Sequence, residues 1–303
     1  MRARPQKHPF PRPRGSYIVP GMRVTVARTA GFCWGVRRTV DKTFETVGDT
    51  EGPVVTLGPV IHNPQVIARL KGEGVEVKDK VVDIADGTTV VVRTHGAVKS
   101  EMEAARARGL EVVDGTCPYV KAPQVYVQRM SRDGYHVIVV GDAKHPEIRG
   151  VVSYSVGPCT VLAPGEAVPA LPGVKKVAVV AQTTIIGDAF KAVVAECALR
   201  FKEVRAFNTI CYDTDERQED ARTLAAQVDA VLVVGGKQSA NTRHLAEICG
   251  ELQPRTYHIE TAEEIRPEWF KGVEAVGVSA GASTPDWVIE AVVARLQGLS
   301  PTA

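Results

Sequence analysis

No apolar run in this 303-residue chain reaches the eighteen or so residues that a membrane span needs, so a membrane-embedded role is not expected. A dominant charge is missing too. The 37 basic residues stand against 35 acidic ones, a net charge of +2, which offers no global field for nucleic acid or a membrane surface. The opening "MRARPQKHPFPRPRGSYIVP" is rich in arginine and proline but has no apolar core, which excludes a secretory signal. Residues 1–21 therefore read as a disordered tail, with Met22, at the head of the first credible strand, as the expected start of the folded protein. A nicotinamide or flavin fingerprint is lacking as well, since neither "GKQSAN" nor "LGPVIHN" makes a G-x-G-x-x-G opening a βαβ unit. The six cysteines would suffice for three disulfides, but a chain of this length without an export signal is expected to be cytoplasmic and reduced.

What the chain does have is a regular alternation of short apolar runs with helical stretches. Strands are expected at Val24–Ala27, Val54–Leu57, Thr89–Arg93, Leu110–Val113, His136–Val140, Lys176–Ala181, Val204–Phe207, Ala230–Val234 and Ala275–Ser279. Between them run patterns such as "KSEMEAARARG", "NTRHLAEICG" and "PDWVIEAVVARLQ", and this alternation points to an α/β protein of parallel sheets with crossover helices. The segment "APGEAVPALPGVKK" reads as surface linker.

Three cysteines sit in matching places. In "VVDGTCPYVK" an apolar strand runs through a small-residue turn into Cys117, and Pro118 behind it suits the first turn of a helix. Cys33 in "VTVARTAGFCWGVRRTV" and Cys211 in "KEVRAFNTICYDTDERQED" repeat the order of strand, turn, cysteine and helix. The gaps are 117 − 33 = 84 and 211 − 117 = 94 residues, each near a third of the chain. The spacing suggests three similar α/β units, at 22–115, 116–207 and 208–303 with a C-terminal helix, each offering one thiol from an equivalent turn.

The other strand ends are polar. They carry His62 and Asn63 in "PVIHNP", Thr94 and His95 in "THG", His145 and Glu147 in "DAKHPE", and Thr183 and Thr184 in "QTTI". Ser239 and Asn241 follow in "KQSAN", and Ser283 in "AGAST". Ligands of open parallel sheets bind beyond the carboxyl ends of the strands, so these groups are expected to line one polar site. Hydroxyls and amides at helix starts suit an anion, and histidines add donors to phosphate oxygens. Three thiolates suit zinc or an iron–sulfur cluster with one metal position left open. At this level an open iron position beside an anion pocket points to catalysis on a phosphorylated molecule, for instance by an iron–sulfur hydro-lyase, and a zinc-structured protein that binds a phosphate ligand also fits.

From about Met22 to Leu296 the chain resembles the 4-hydroxy-3-methylbut-2-enyl diphosphate reductases. The likeness is carried by "GFCWGV", "IHNPQVI", "THG", "DGTCPYV", "HPEIRG", "QTTI", "ICYDTDERQ", "SANTRHL" and "GVSAGASTPDW", in that family's order. The resemblance implies a trefoil-like arrangement of three units around a central [4Fe–4S] cluster. It also implies reductive dehydroxylation of the diphosphate to isopentenyl and dimethylallyl diphosphates, with reduced ferredoxin or flavodoxin as electron donor. Cys33, Cys117 and Cys211 match the cluster ligands. His62, His95, His145, Thr183, Ser239, Asn241 and Ser283 match the substrate-binding positions, and Glu147 matches the proton donor, oriented by Thr183. Two positions depart from the pattern: Ala240 stands where a second serine is common, and Lys144 adds a charge before "HPE".

For the remaining groups the structural reading is the better one. Cys159, Cys197 and Cys249 read as inert core thiols, and His136, His244 and His258 as ordinary element residues. Trp34 and Trp287 read as packing groups, and "RARGLE" and "DERQED" as solvated faces.

Overall fold

Valine- and alanine-rich runs form the strands, and the amphipathic stretches between them form the helices. The computed structural model describes residues 15–19 and 22–299, and expectations for residues 1–14, 20, 21 and 300–303 lie outside the described residues. The chain begins with β1 (Gly15–Val19), β2 (Met22–Val26) and α1 (Trp34–Asp49), followed by β3 (Val54–Leu57), α2 (Pro64–Gly72), β4 (Glu76–Lys78), β5 (Thr89–Val92), α3 (Lys99–Ala107) and β6 (Glu111–Asp114). Next come α4 (Pro118–Arg132), β7 (His136–Val140), α5 (Pro146–Val152), β8 (Cys159–Leu162), β9 (Lys176–Ala181), α6 (Gly187–Arg200) and β10 (Glu203–Ala206). The last part holds α7 (Tyr212–Ala225), β11 (Ala230–Val234), α8 (Ala240–Leu252), β12 (Thr256–Ile259), β13 (Ala275–Ala280) and α9 (Asp286–Gln297).

These elements divide into two compact units. Of the described residues, one takes those up to Cys33, then His62–Pro64, then those from Glu216 to residue 299. Its sheet has the order β1-β2-β13-β11-β12, parallel except for β1. Strands β11 and β13 are buried along their whole length. The stripe Val288, Ile289, Val292, Val293 and Leu296 of α9 packs into the same core as Val24, Leu232 and Val276. The other unit takes Trp34–Ile61 and Gln65–Asp215, and it holds two four-stranded parallel sheets, β4-β3-β5-β6 and β10-β9-β7-β8. The central strands β3 and β5 are wholly buried, as are β7 and β9 beyond their first residues, as parallel sheets with helices on both faces require.

The three sheets are one pattern used three times. Counted within its own stretch of chain, the second sheet reads 2-1-3-4 (β4-β3-β5-β6), and the third reads 2-1-3-4 (β8-β7-β9-β10). The first sheet reads β12-β11-β13-β2, which is again 2-1-3-4, with the fourth strand supplied from the start of the chain. Each candidate cysteine follows a fourth strand: Cys33 after β2, Cys117 after β6 and Cys211 after β10. Cys117 is the N-cap of α4 with Pro118 at its first position, as the sequence requires.

Several expectations change. Strand Gly15–Val19 lies inside the segment read as a disordered tail; it pairs antiparallel with β2, so that part of the tail is ordered on the sheet edge. Strand β2 joins β13 rather than the sheet of β3 to β6, so the boundary drawn between 22–115 and the later units does not follow the sheets. Strands β4, β8 and β12 were not expected either. They are the second strand of each pattern, short edge strands in which at most the last residue, Leu162 in β8 and Ile259 in β12, is buried, and they carry no long apolar run. Trp34 is 60% exposed rather than packed, whereas Trp287 does pack against the first unit's core. In "DERQED", Arg217 and Gln218 are buried, and Asp220 accepts the amide and hydroxyl of Thr29, each at 2.8 Å, so this stretch is not a solvated face.

Gly115 shows how tightly the cysteine turn is packed. Its amide donates to Val92 O at 3.1 Å and its carbonyl accepts from Thr39 Oγ1 at 2.6 Å. A Cβ at that position would collide with Val92 O and lie 2.6 Å from Thr39 Cγ2. Gly115→Ala should therefore destabilise the fold by about 1–3 kcal/mol, read as a lower urea midpoint. Gly48→Ala, in the last turn of α1 with nothing within 4 Å, is the control and should leave the midpoint unchanged or raise it.

Candidate active site

The second unit holds a buried carboxylate with two dedicated donors. Glu147 is wholly buried at the start of α5. Its Oε1 accepts the Thr183 amide at 2.7 Å, and its Oε2 lies 2.7 Å from Thr183 Oγ1. Burial pushes its carboxyl up to about 7, and the two Thr183 bonds only partly offset that. When the carboxyl is ionised, the threonine hydroxyl donates to Oε2; when it is protonated, the same contact runs from Oε2–H to Oγ1. Glu147 is thus a buried carboxyl that takes up and gives up a proton near neutral pH.

His145 is tied to the same turn. As N-cap of α5 it accepts the Glu147 amide on Nδ1 at 3.2 Å, which places its own proton on Nε2. The ring of His95 meets it edge-on, with centroids 5.0 Å apart. Beside them Gln182, which sequence reasoning passed over, is buried; its Oε1 accepts the Asp142 amide at 3.0 Å and its Nε2 donates to Thr184 Oγ1 at 3.3 Å. A lone glutamine closing a valine run was its only signal. The Thr94 hydroxyl is buried without a partner among the described residues.

The first unit carries the rest of the expected polar residues, His62, Ser239, Asn241 and Ser283. Ser239 caps α8, its Oγ accepting the Thr242 amide at 3.4 Å. Ser283 Oγ donates to His62 O at 3.4 Å, which joins the "AGAST" and "HNP" turns, and Gly236 leaves room beside the same carbonyl that a side chain would fill. Asn241 is buried, and its Nδ2 has no acceptor among the described residues; the Thr242 hydroxyl is in the same condition. Thr242 was missed in the sequence. Its Oγ1 lies against Gly235 and Gly281, so the glycines ending β11 and β13 are the trace it leaves. Buried donors without acceptors are rare in native proteins and mark a place for an external acceptor such as a phosphate oxygen.

The cysteine turns share one hydrogen bond. In each sheet the cysteine amide donates to the turn after the third strand: Cys33 to Ala282 O at 3.2 Å, Cys117 to Thr94 O at 3.0 Å and Cys211 to Thr183 O at 2.9 Å. Burial pushes the Cys117 thiol up, and the amides of Tyr119 and Val120 at the start of α4 work against that. Cys159, Cys197 and Cys249 lack such donors, and burial pushes each thiol up to about 11. They remain core residues, as expected, and none of the six cysteines forms a disulfide. His136 and His258 are structural as well, bonded to Thr160 Oγ1 at 2.8 Å and to Gly235 O at 2.9 Å.

Comparison with known proteins bears on this chemistry. The family model described as LytB protein matches residues 24–297. The chain is 67% identical over 278 residues to a protein of Anaeromyxobacter sp. (strain Fw109-5) named 4-hydroxy-3-methylbut-2-enyl diphosphate reductase, covering 92% of this chain and 98% of that one. A Geobacter sulfurreducens protein of the same name is 54% identical over 276 residues, covering 91% and 97%. Among solved structures, (E)-4-hydroxy-3-methyl-but-2-enyl diphosphate reductase, described as the terminal enzyme of the non-mevalonate pathway, is 47% identical, with a TM-score of 0.69 over 90% of this chain and 98% of that one. A Plasmodium falciparum reductase structure, 24% identical, shares the fold with a TM-score of 0.84, covering 91% of this chain and 88% of that one.

The Glu147 carboxyl gives a pH test of its surroundings. Its folded value of about 7 lies above the ordinary 4.5, so the folded protein binds more protons than the unfolded chain between those values. Its contribution to stability is complete below about pH 4.5 and is lost as the pH rises through about 7. Glu147→Gln removes this slope. Relative to the variant, the wild type should lose on the order of 3 kcal/mol between pH 4.5 and pH 8 in urea denaturation. Parallel pH profiles for the two proteins would contradict the burial account.

Proposed function

The chain belongs to the LytB protein family, and from that membership we propose that it is a 4-hydroxy-3-methylbut-2-enyl diphosphate reductase. The reaction replaces the allylic C–OH of the substrate by C–H. It consumes two electrons and two protons, releases water and yields isopentenyl and dimethylallyl diphosphates, the terminal step of the non-mevalonate route. The observation that carries this reading is Glu147, a wholly buried carboxyl bonded twice by Thr183 and pushed by burial up to about 7. Hydroxide is a poor leaving group, so C–O cleavage needs an acid at the departing oxygen, and a carboxylic acid with a value near the working pH is suited to it.

We assign Glu147 as that acid and Thr183 as the group that orients it, through the two bonds to its carboxylate. The diphosphate falls to His62, His95, His145, Ser239, Asn241 and Ser283, with Thr183 also meeting the substrate hydroxyl. The unpartnered Asn241 Nδ2 supports the anion assignment, because a diphosphate oxygen supplies the acceptor it lacks. Cys33, Cys117 and Cys211 are assigned to a [4Fe–4S] cluster. The donor set fits: three thiols at equivalent turns, each directly before a helix start, are the soft ligands such a metal takes. When bound, the cluster supplies the electrons, drawn from reduced ferredoxin or flavodoxin. No helix among the described residues is long and apolar enough to cross a membrane, and we place the reaction in the cytoplasm.

The direct test is anaerobic iron analysis followed by turnover of the diphosphate with a chemical reductant. Serine at Cys33, Cys117 or Cys211 should remove most iron and activity, while serine at Cys159, Cys197 or Cys249 should spare both. Uniform effects across the six would refute the ligand assignment. Glu147→Gln should keep iron and bind the diphosphate, yet lose turnover by roughly two orders of magnitude or more. Near-wild-type turnover would remove Glu147 from the reaction.

A further inference from the structure

The second unit has a cleft of about 180 Å³ between α3, α4 and the turn that follows α5. None of the residues assigned to the substrate or to the thiol site lines it. Its inner wall is Gln124 of α4, which is 7% exposed and whose side-chain amide makes no hydrogen bond among the described residues. The amide has room because two glycines face it: a Cβ would lie 2.9 Å from Nε2 at position 96 and 3.8 Å from it at position 150. Gln128 and Tyr154 also line the cleft, and neither the amide of the one nor the hydroxyl of the other is hydrogen-bonded among the described residues. A buried amide without a partner is rare in a native fold, and one that opens onto a cleft has space for a partner from outside.

The charges around the cleft select that partner. Lys121 and Asp114 neutralise each other at 2.7 Å, and the other carboxylate oxygen of Asp114 accepts the Thr116 amide at 2.9 Å. Arg106, exposed at the mouth, pairs with no carboxylate among the described residues and leaves one positive charge. The apolar wall is Met102 and Ala97, both buried. A cavity of about 150 Å³ accommodates benzene, so an apolar body of that size fits here with its head group toward Arg106. We propose that the cleft binds a small organic monocarboxylate: Arg106 meets the carboxylate, Gln124 and Tyr154 donate to its oxygens, and Met102 and Ala97 cover its apolar body. A guanidinium matches a carboxylate with two parallel bonds. One uncompensated cation suits a monoanion and leaves a diphosphate largely unpaired, which sets this site apart from the one assigned to the substrate.

The test is calorimetric titration of the full chain, purified anaerobically, with benzoate as the probe and benzamide as its uncharged counterpart. Benzoate should bind at one saturable site, and benzamide about fivefold more weakly or worse. Arg106→Gln should weaken benzoate by about fivefold or more, and Gln124→Leu by about threefold or more. Lys191→Gln removes an equal charge from exposed α6, far along the chain from the cleft, and should leave binding unchanged. Asn241→Ala, in the pocket assigned to the diphosphate, should leave it unchanged too. Hydrogen exchange should slow at the Gly96 and Thr116 amides when benzoate is present, since Gln124 and Thr116 stand against Gly96 at the inner wall. The absence of saturable binding up to about 20 mM overturns the proposal. So does binding that Asn241→Ala abolishes and Arg106→Gln spares, which would place benzoate in the substrate pocket. If Gln124→Leu fails to fold, the surface substitution Arg106→Gln decides alone: weakened binding supports the site and unchanged binding overturns it.

Discussion

A backbone amide on each candidate cysteine, bonded to the turn beside it, is the constraint from which the rest of this architecture follows. A thiol at the mouth of a sheet is useful only if its position is set, and loops by themselves set little. Here the fourth strand of every sheet is held by its ladder to the third, and the cysteine amide extends that ladder by one bond past the strand ends. The requirement explains the glycine at 115, which lets Thr39 and Val92 close on the same turn. It also explains why the turn after each third strand is as invariant in backbone role as the cysteine turn itself.

On that repeated backbone the side chains diverge, and the divergence is where the chemistry lies. The turn after the first strand of a pattern carries "HNP" in one sheet, "HPE" in another and "SAN" in the third; the turn after the third strand carries "THG", "TTI" and "AST". One combination joins a glutamate to a threonine and gives a buried acid. Another carries Ser239 and Ser283 with Asn241, whose Nδ2 has no acceptor among the described residues. Duplicated frames leave such choices open because the backbone bonds do not depend on which side chain caps the helix.

Much of this was legible in the sequence, for a physical reason. Doubly covered parallel strands need unbroken valine runs, so β3, β5, β7, β9, β11 and β13 announced themselves, and the polar residues directly behind them marked the strand ends. The edge strands β4, β8 and β12 bury little, so no apolar run betrayed them. Arg217 and Gln218 were hidden in a charged string because their burial depends on partners far away in the chain, such as the carbonyl of Thr29 that accepts from Arg217. Gln182 and Thr242 were missed for the same reason: a single polar residue beside an apolar run is informative only once its neighbours in space are known.

The pairing of β2 with β13 has a consequence for how the protein comes into being. Arg23 lies opposite Ala275, so β2, paired on its other side with the adjacent β1, meets β13 only after a further 252 residues have been made. The sheets of β3 to β6 and β7 to β10 each pair strands from one continuous stretch and are free to form during synthesis, domain by domain. The remaining sheet is a closure across nearly the whole chain, and contacts so distant in sequence are slow to form. The turn bearing Cys33 therefore acquires its amide bond to Ala282 only after translation has passed the "AGAST" segment. Until then Cys117 and Cys211 already follow strands of sheets that are complete, and the last sheet is finished when β2 joins β13.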